Sequence, residues 1–178
     1  MLKQGRLRVV PQPSYDDLYN AQRPRVERLC RLLLADSQEA QDVAQEVLMK
    51  VYRALQARRP EATSERWVTR VTVNACRDRR RLAWWRRGRG GGAEFHEENL
   101  AARGATPEDA LLTRESRGQL WAEFRRLSPR QQEVFTLRHV EGFSTAEVAE
   151  TLGLSAGSAK RHLFRAVHRL RRALQESP

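Results

Sequence analysis

The sequence predicts an all-α protein of two small helical bundles joined by a flexible linker. Apolar residues recur at three- to four-residue spacing through most of the chain, which is the period of an amphipathic helix. No segment of any length alternates apolar and polar residues as a half-buried strand would. A glycine-rich, polar stretch at residues 88–105 divides the helical pattern in two, and its composition is that of a flexible linker.

The first bundle is predicted at residues 14–87, after a loose tail at residues 1–13 that has no periodic pattern. Its first helix spans residues 14–34 and carries an apolar stripe. Pro24 lies inside this helix, and proline lacks the backbone N–H that a helix interior uses. We therefore expect a kink at Pro24 or a division of the helix into two pieces.

Two more helices are predicted in the first bundle. The second spans residues 36–57, with acidic residues early and basic residues late, the order that the helix dipole favours. The composition of residues 58–65 indicates a loop. The third helix begins near Arg66 and is strongly basic over residues 77–87. Trp67 shares the spacing of its apolar residues, so we expect a core position rather than an exposed stacking platform.

The second bundle is predicted at residues 106–178. Thr106 opens its first helix, whose apolar positions continue to Leu127. Residues 128–131 read Ser-Pro-Arg-Gln, which gives a serine N-cap, a proline at the first helical position and a glutamine that answers the cap. Residues 141–143 read Glu-Gly-Phe and are expected to break the helix.

Residues 144–175 have the pattern of a helix-turn-helix. Ser144 and Glu147 predict a second capping box at the start of a short helix. Gly153 supplies the positive φ that a tight turn needs. Ser155 can then cap the helix that follows.

The last helix, from residue 156 onward, is amphipathic and strongly basic. One face is apolar, and no acidic residue occurs before Glu176. Its cations are Lys160, Arg161, Arg165, Arg169, Arg171 and Arg172. A solvated surface helix is the alternative. The short helix, the glycine turn and the capped basic helix together favour a DNA groove, where phosphate neutralisation dominates affinity.

The composition limits the classes of function. The 178 residues carry a net charge of +11, which favours a polyanionic partner, nucleic acid before an anionic membrane. Apolar runs fall well short of the roughly 20 residues of a spanning helix, and the N-terminus lacks a signal-peptide core, so we expect a cytoplasmic protein without membrane insertion. Cys30 and Cys76 lack a CxxC motif. We expect buried, reduced thiols, with a disulfide switch as the alternative.

No catalytic residue, metal site or cofactor is predicted. Metal-assisted phosphodiester chemistry needs clustered carboxylates or histidines. Asp42 and Glu46 share a helix face without a third ligand, and the histidines are scattered. A small nuclease is therefore disfavoured.

Four motifs resemble those of the extracytoplasmic-function (ECF) sigma factors of bacterial RNA polymerase. Residues 42–52 resemble the family's D-x-x-Q-E-x-F/L-x-x-x-W/Y helix, and residues 67–78 resemble its W-L-x-x-I-A-x-N-x-x-x-D helix. Residues 127–135 and 142–149 match the sequence that leads into its helix-turn-helix. Each motif is weak alone, whereas their order and separations are specific.

The resemblance implies a factor that binds core RNA polymerase and directs promoter-specific initiation. Residues 14–87 would be region 2, which binds the polymerase and recognises and melts the −10 element. Residues 106–178 would be region 4, which recognises the −35 element, and the linker at residues 88–105 would thread through the polymerase. A helix-turn-helix regulator that binds DNA without the polymerase is the alternative, but residues 14–87 lack the strand-helix alternation of a receiver.

Four residues of the second helix form a mixed polar rim beside its apolar stripe, suited to a partner helix. They are Asp42, Gln45, Glu46 and Met49. By resemblance, the partner is the clamp helices of the polymerase largest subunit. Without the resemblance, the same residues would be an ordinary solvated face. The resemblance also implies an anti-sigma factor that masks this helix.

The loop after the second helix and the third helix would open promoter DNA, which requires capture of an unstacked base. By resemblance, Ser64, Glu65 and Arg66 form the pocket loop, and Asn74 faces the −10 bases. The family commonly has Phe where Ser64 stands, which leaves the captured base undefined. The basic residues expected to hold phosphates are Arg77, Arg79, Arg80, Arg81, Arg86 and Arg87. Trp84 and Trp85 could stack on DNA, pack against the domain or bind a partner.

The start of the last helix would read the −35 element. The residues expected to enter the groove are Ser158, Arg161, His162 and Arg165. Ser155 and Lys160 are expected to contact phosphate. His162 could equally be a solvated surface histidine.

Overall fold

Every regular element that the structure describes is helical, which confirms the all-α prediction. The computed structural model describes residues 15–87 and 118–175; the predicted tail, the linker and the helix start at Thr106 lie outside the described residues. The elements are α1 (Tyr15–Leu33), α2 (Ser37–Gln56), a 3₁₀ turn (Pro60–Thr63), α3 (Glu65–Arg87), α4 (residues 118–125), α5 (Pro129–Phe135), a π-helical turn (Thr136–Val140), α6 (Thr145–Leu152) and α7 (Ala156–Gln175). Within these two ranges, each helix is too short or too polar to cross a membrane.

Residues 15–87, the N-terminal module, form a bundle in which α1, α2 and α3 all contact one another. The apolar stripes predicted from the sequence face inward, and Val26, Val47 and Val68 are fully buried. Asp36 caps α2, because its carboxylate accepts a hydrogen bond of 2.8 Å from the Glu39 N–H. Burial of these stripes is the main favourable term in the stability of the module.

The sequence predicted a kink at Pro24 or a division of the helix into two pieces. α1 continues through Pro24 as one helix, so the division does not occur. Proline leaves the carbonyl four residues earlier, that of Asn20, without its helical partner. Asn20 and Pro24 are both exposed. Water can therefore take the place of the missing N–H, which reduces the cost of the interruption.

Residues 118–175, the C-terminal module, contain both predicted capping boxes. The Ser128 hydroxyl accepts from the Gln131 N–H at 3.4 Å, and the Gln131 amide oxygen accepts from the Ser128 N–H at 3.0 Å. Ser144 and Glu147 form the same reciprocal pair at 3.2 and 2.8 Å. Gly153 ends α6 at φ +64°, the conformation predicted from its place in the turn.

The connection between α5 and α6 contains a π-helical turn that the sequence analysis did not predict. The Glu141 N–H donates to the Thr136 carbonyl at 3.1 Å, five residues earlier. Gly142 follows at φ +72°, and Phe143 is buried. The expected break at residues 141–143 is therefore present.

The two modules pack against each other, which the sequence analysis did not predict. Leu137 and Phe143 belong to the same buried cluster as the core residues of α1, α2 and α3. Leu32 of α1 packs against a second cluster that includes Phe124 and Leu170. An apolar contact thus joins the modules. This contact determines which charged residues of the two modules lie close to one another around it.

Candidate nucleic-acid interface

The four α2 residues predicted to bind a partner helix lie together on one exposed face of α2. Asp42, Gln45, Glu46 and Met49 are all exposed, and spacings of three and four residues align them along the helix. Met49 is a large apolar side chain with 44% of its surface exposed. An apolar residue within a polar rim is the composition of a protein interface.

Arg79 of α3 lies beside this acidic face. Its guanidinium group is 2.7 Å from the Glu46 carboxylate and 4.0 Å from that of Asp42. The structure therefore separates Arg79 from the other arginines predicted to hold −10 phosphates. It places this cation at the edge of the predicted polymerase-binding face.

The loop between α2 and α3 is shaped by the 3₁₀ turn Pro60–Thr63. The Thr63 hydroxyl donates to the Pro60 carbonyl at 3.1 Å. The Ser64 hydroxyl accepts from the Trp67 N–H at 3.5 Å, so Ser64 stands at the start of α3. Trp67 is half-buried against the core, in agreement with the core position predicted for it.

The side chains of Glu65 and Arg66 are held by different elements. Glu65 is exposed and pairs with Arg25 of α1 at 2.8 Å. Arg66 forms a salt bridge with Glu147 of α6, across the boundary between the modules. The three predicted pocket residues are thus adjacent, but one of them is bound to the C-terminal module.

Asn74 is exposed near the middle of α3, and Arg70 is exposed one turn before it. Arg70 was not among the predicted site residues, although its four-residue spacing from Asn74 places both on one face. Arg81 lies further along α3, exposed and 3.5 Å from Asp78. This face carries both an amide that can read a base edge and cations that can hold phosphates.

Arg77 and Arg80 converge on Glu133 of α5. Arg77 Nη2 lies 3.1 Å from one carboxylate oxygen of Glu133, and Arg80 binds the other. Arg130 binds the same carboxylate at 2.8 Å, and the Glu133 side chain is only 2% exposed. Two of the predicted phosphate-binding arginines therefore hold a carboxylate of the C-terminal module. The side chains of residues 84–87 lie outside those described.

α7 has one buried stripe and one exposed stripe. Ala159, Ala166 and Leu170 are buried. We call the exposed residues on the opposite side the outer stripe: Lys160, Arg161, Phe164, Arg165 and His168. The Ser155 hydroxyl accepts from the Ser158 N–H at 3.1 Å, so Ser155 caps α7 as predicted. This geometry leaves the basic side of the helix open to a partner.

His162 lies outside the outer stripe and is half-buried. Its Nδ1 atom is buried without a hydrogen-bond partner among the described residues. Burial lowers the pKa of the imidazole, and the charges of Arg130, Arg165 and Arg161 lower this pKa further. A neutral, half-buried histidine near α5 is less suited to a groove contact than its exposed neighbours.

Phe164 belongs to this surface and was missed by the sequence reasoning. Its side chain is 69% exposed, and its ring centroid lies 6.0 Å from that of His168. Leaving such a ring in water forgoes roughly 1.5–3 kcal/mol of burial free energy. The available signal was a phenylalanine at an outer position of the helix, between Arg161 and Arg165.

Cys30 and Cys76 are adjacent, free and fully buried between α1 and α3, as predicted from their helical contexts. Their Sγ atoms are 3.8 Å apart, compared with about 2.05 Å in a disulfide. The hydrogen bond with Cys76, followed by burial, raises the pKa of the Cys30 thiol. Both effects are those of an inert structural thiol.

Two family models match the chain, one in each module. The model described as sigma-70 region 2 matches residues 18–86. The model described as sigma-70, region 4 matches residues 117–175. The first match covers α2 and most of α1 and α3, and the second covers α4 to α7.

Known relatives and solved structures are similar over most of the chain. The RNA polymerase sigma-E factor of Streptomyces coelicolor is 31% identical over 162 residues, which cover 90% of this chain and 86% of the relative. The ECF RNA polymerase sigma factor SigW of Bacillus subtilis is 24% identical, with 93% and 91% covered. The fold is similar to that of the sigma factor RpoE of Bartonella quintana, solved in complex with the anti-sigma factor NepR. That comparison has a TM-score of 0.72 and 19% identity, over 92% of this chain and 98% of the other.

Proposed function

Because the chain belongs to the ECF sigma factors of bacterial RNA polymerase, we propose that its two modules divide polymerase binding and promoter recognition between them. Residues 14–87 bind core polymerase and the −10 element, and residues 106–178 bind the −35 element. The observation that carries this proposal is the outer stripe of α7, which is exposed and basic while the opposite side is buried.

The C-terminal module reads the −35 element through the outer stripe. Arg161 and Arg165 are exposed one helical turn apart, and each can bind a guanine in bidentate fashion. Lys160 is a point charge suited to phosphate, and Ser155 stands at the N-terminus of α7, where an anion is favoured. Ser158 and His162 are half-buried, so their contacts are with groove edges rather than its floor.

Phe164 adds an apolar contact to this surface. It is exposed between two arginines that face the groove, where a phenyl ring can pack against the methyl group of a thymine. Replacing that thymine by deoxyuridine removes only the methyl group, a loss of about 0.8 kcal/mol or about fourfold in affinity. The loss should vanish in Phe164→Ala, and an equal loss in both proteins would exclude the contact.

The N-terminal module recognises the −10 element through α3 and the loop before it. Asn74 reads a base edge, with Ser64, Glu65 and Arg66 forming the adjacent pocket. Arg70 joins this set because it shares the exposed face of Asn74. The phosphate-binding residues are Arg77, Arg80 and Arg81, with Arg79 at the edge of the acidic α2 face.

The exposed face of α2 binds the clamp helices of the polymerase largest subunit. Asp42 and Glu46 supply charges, Gln45 supplies an amide, and Met49 supplies apolar area for a helix-helix contact. The same face is the site for an anti-sigma factor, a proposal supported by the fold shared with a sigma factor solved with such a partner. A partner that failed to compete with core polymerase for this chain would contradict the shared site.

The decisive experiment is run-off transcription from genomic fragments with purified core polymerase, followed by mapping of the start sites. We expect discrete starts preceded by two recurring sequence elements. Transcription indistinguishable from that of core polymerase alone would refute the proposal. A regulator that is no polymerase subunit would instead shift promoter duplex unaided and add no new starts.

The α2 face is tested by charge reversal with a matched control. Glu46→Lys should abolish capture of core polymerase, because it places a cation where the partner needs an anion. Glu150→Lys makes the same change on exposed α6 and should leave capture intact. Circular dichroism should show both variants folded, and equal capture by both would reject the assignment.

A further inference from the structure

A cavity of about 620 Å³ lies between α4 and the C-terminal half of α7, within the C-terminal module. Its charged lining residues are Glu123 and Arg126 at the end of α4, and Arg169 and Arg172 of α7. These four residues have no part in the DNA and polymerase surfaces proposed above. A volume of this size is typical of a small-molecule site.

Glu123 holds two guanidinium groups side by side in this cavity. Its carboxylate accepts from Arg126 Nη1 at 2.5 Å and from Arg169 Nε at 3.0 Å. Arg169 Nη1 also donates to the Arg126 carbonyl oxygen at 3.1 Å. The hydrogen bond from Arg169, followed by that from Arg126, lowers the pKa of Glu123, so this carboxylate is charged at neutral pH. Two like charges are thus fixed next to each other by one anion.

The two guanidinium groups retain donors for a further anion. The contacts with Glu123 use Nη1 of Arg126, and Nε of Arg169, so each guanidinium keeps an Nη2 group outside them. The side chains of Arg126 and Arg169 are 68% and 46% exposed, so a ligand can reach these donors. Because the guanidinium groups are already positioned, less side-chain freedom is lost when the ligand binds.

The charge of the cavity indicates the chemical class of that anion. Among the described lining residues, three arginines and one glutamate give a formal charge of +2. A phosphomonoester carries about −1.5 to −2 at neutral pH, whereas a phosphodiester of a nucleic-acid backbone carries a single negative charge. The planar guanidinium fork also fits phosphate oxygens in bidentate fashion. A terminal phosphate is therefore the better match to this cavity.

The cavity has more room than one phosphate group fills. Ala122 and Ala173 contribute small side chains to its lining, and His168 contributes an aromatic ring. Small apolar groups and a ring beside a few convergent polar groups are the usual composition of a site for an organic ligand. The phosphate is therefore expected to carry an organic group.

We propose that this cavity binds a small organic phosphomonoester, whose terminal phosphate lies on Arg126, Arg169 and Arg172. Glu123 is a positioning residue, because it orients two of these arginines. The organic part of the ligand lies against the two alanines and the ring of His168. The site does not depend on the proposed reading of the −35 element, since its three arginines are outside the outer stripe.

Isothermal titration calorimetry of the full-length chain tests the ligand class. The probes are AMP and ribose 5-phosphate, which have a terminal phosphate, and 3′,5′-cyclic AMP, which keeps the adenosine but has a phosphodiester. We expect one-to-one binding of a terminal phosphate with a Kd of about 10 µM to 1 mM. Cyclic AMP should bind at least about tenfold more weakly than AMP, because it loses a charge-assisted contact.

Three results of the titrations would overturn the proposal. The first is no saturable binding of AMP or ribose 5-phosphate at about 10 mM, ten times the weak end of the expected range. The second is equal affinity for AMP and cyclic AMP, which would show that the terminal phosphate is not recognised. The third is inorganic phosphate binding as tightly as both organic probes, which would exclude a site for the organic group.

Matched variants place the bound phosphate in the cavity. Arg126→Ala should weaken binding of the organic probes about tenfold. Arg171→Ala removes the same charge from an exposed position of α7 outside the lining and should leave binding unchanged. Equal losses in both variants would assign binding to overall charge and reject the cavity. Should Arg126→Ala melt below the assay temperature, Arg172→Ala gives the same comparison.

Glu123→Gln separates positioning from charge. Removal of an anion should by itself tighten the binding of a phosphate, whereas loss of the fixed guanidinium groups should weaken it. The proposal predicts weaker binding by a variant that circular dichroism shows to be folded. Tighter binding would refute the positioning role of Glu123.

Discussion

Two glycines of the helix-turn-helix should respond with opposite sign to the same substitution. Gly153 has φ +64° and ψ +41°, and Gly157 lies in the first turn of α7. A Cβ at either position meets no atom within 4 Å, so steric contact does not distinguish them. Only backbone conformation does, which makes the pair a controlled test of the turn.

The expected magnitudes follow from that conformation. A left-handed residue with a side chain costs about 1–2 kcal/mol, and reduced freedom of the unfolded chain offsets about 0.4–1 kcal/mol of it. Gly153→Ala should therefore lose about 1 kcal/mol of unfolding free energy, whereas Gly157→Ala should gain roughly 0.5 kcal/mol. Gly153→Asn should lose less than Gly153→Ala, because Asn tolerates this region better.

Urea denaturation followed by circular dichroism measures these differences. A loss of 1 kcal/mol corresponds to about 2–4 °C in the thermal midpoint of a chain of this size. Equal losses in Gly153→Ala and Gly157→Ala would refute the conformational argument. A Gly153→Asn protein no more stable than Gly153→Ala would also count against a left-handed turn at this position.

Three further predictions concern the core, the thiols and pH. Leu137→Ala, at a fully buried position, should lose about 2–5 kcal/mol of unfolding free energy in urea titrations. Leu174→Ala, at an exposed position of α7, should lose less than about 0.5 kcal/mol. Cys30 and Cys76 should resist iodoacetamide in the native protein and react fully after denaturation, and native labelling at the denatured rate would contradict their burial. The backbone hydrogen bond from Ser144 is the main cause that lowers the pKa of Glu147 from 4.5. A carboxylate with a lowered pKa stabilises the fold above its unfolded pKa and loses this effect as pH falls through the folded value. The stability deficit of Glu147→Gln, measured from urea midpoints, should therefore shrink below about pH 4.5. A deficit that stays constant with pH would exclude a contribution of the Glu147 charge to stability.

The helix ends and turns could be predicted from sequence because their interactions are local. Ser128 and Gln131, three residues apart, form the capping box that the motif predicts. Gly153 has the positive φ that its place between two helices requires. Each cap depends on residues within one helical turn, so a single sequence contains all the necessary information.

The surfaces of the helices could be predicted in part. The inward faces of α2 and α7 follow from apolar spacing, because one stripe must be buried. Phe164 was missed because an apolar residue at an outer position does not fit that rule, and exposure of a large ring is informative only once it is measured. His162 illustrates the reverse case, since its half-buried position depends on α5 and not on its own helix.

The contacts between the modules could not be predicted from spacing. Arg77 lies 56 positions from Glu133 in the sequence, and Arg25 lies 116 from Glu141. When the sequence of a basic helix is considered alone, it does not show which carboxylate will pair with an arginine. Phosphate is then the partner that the sequence predicts. The structure adds the competing carboxylates, which come from another part of the chain.

A net charge of +11 favours nucleic acid as a partner. The positive charge available to DNA, however, is the part that remains after arginines have paired with carboxylates of the same chain. Arg77 and Arg80 are committed to a carboxylate that is almost fully buried, whereas the outer stripe of α7 remains exposed. The free chain should therefore hold duplex −35 DNA through α7 before it holds −10 DNA through α3. The order of the two contacts thus follows from which arginines are already paired with carboxylates of the chain.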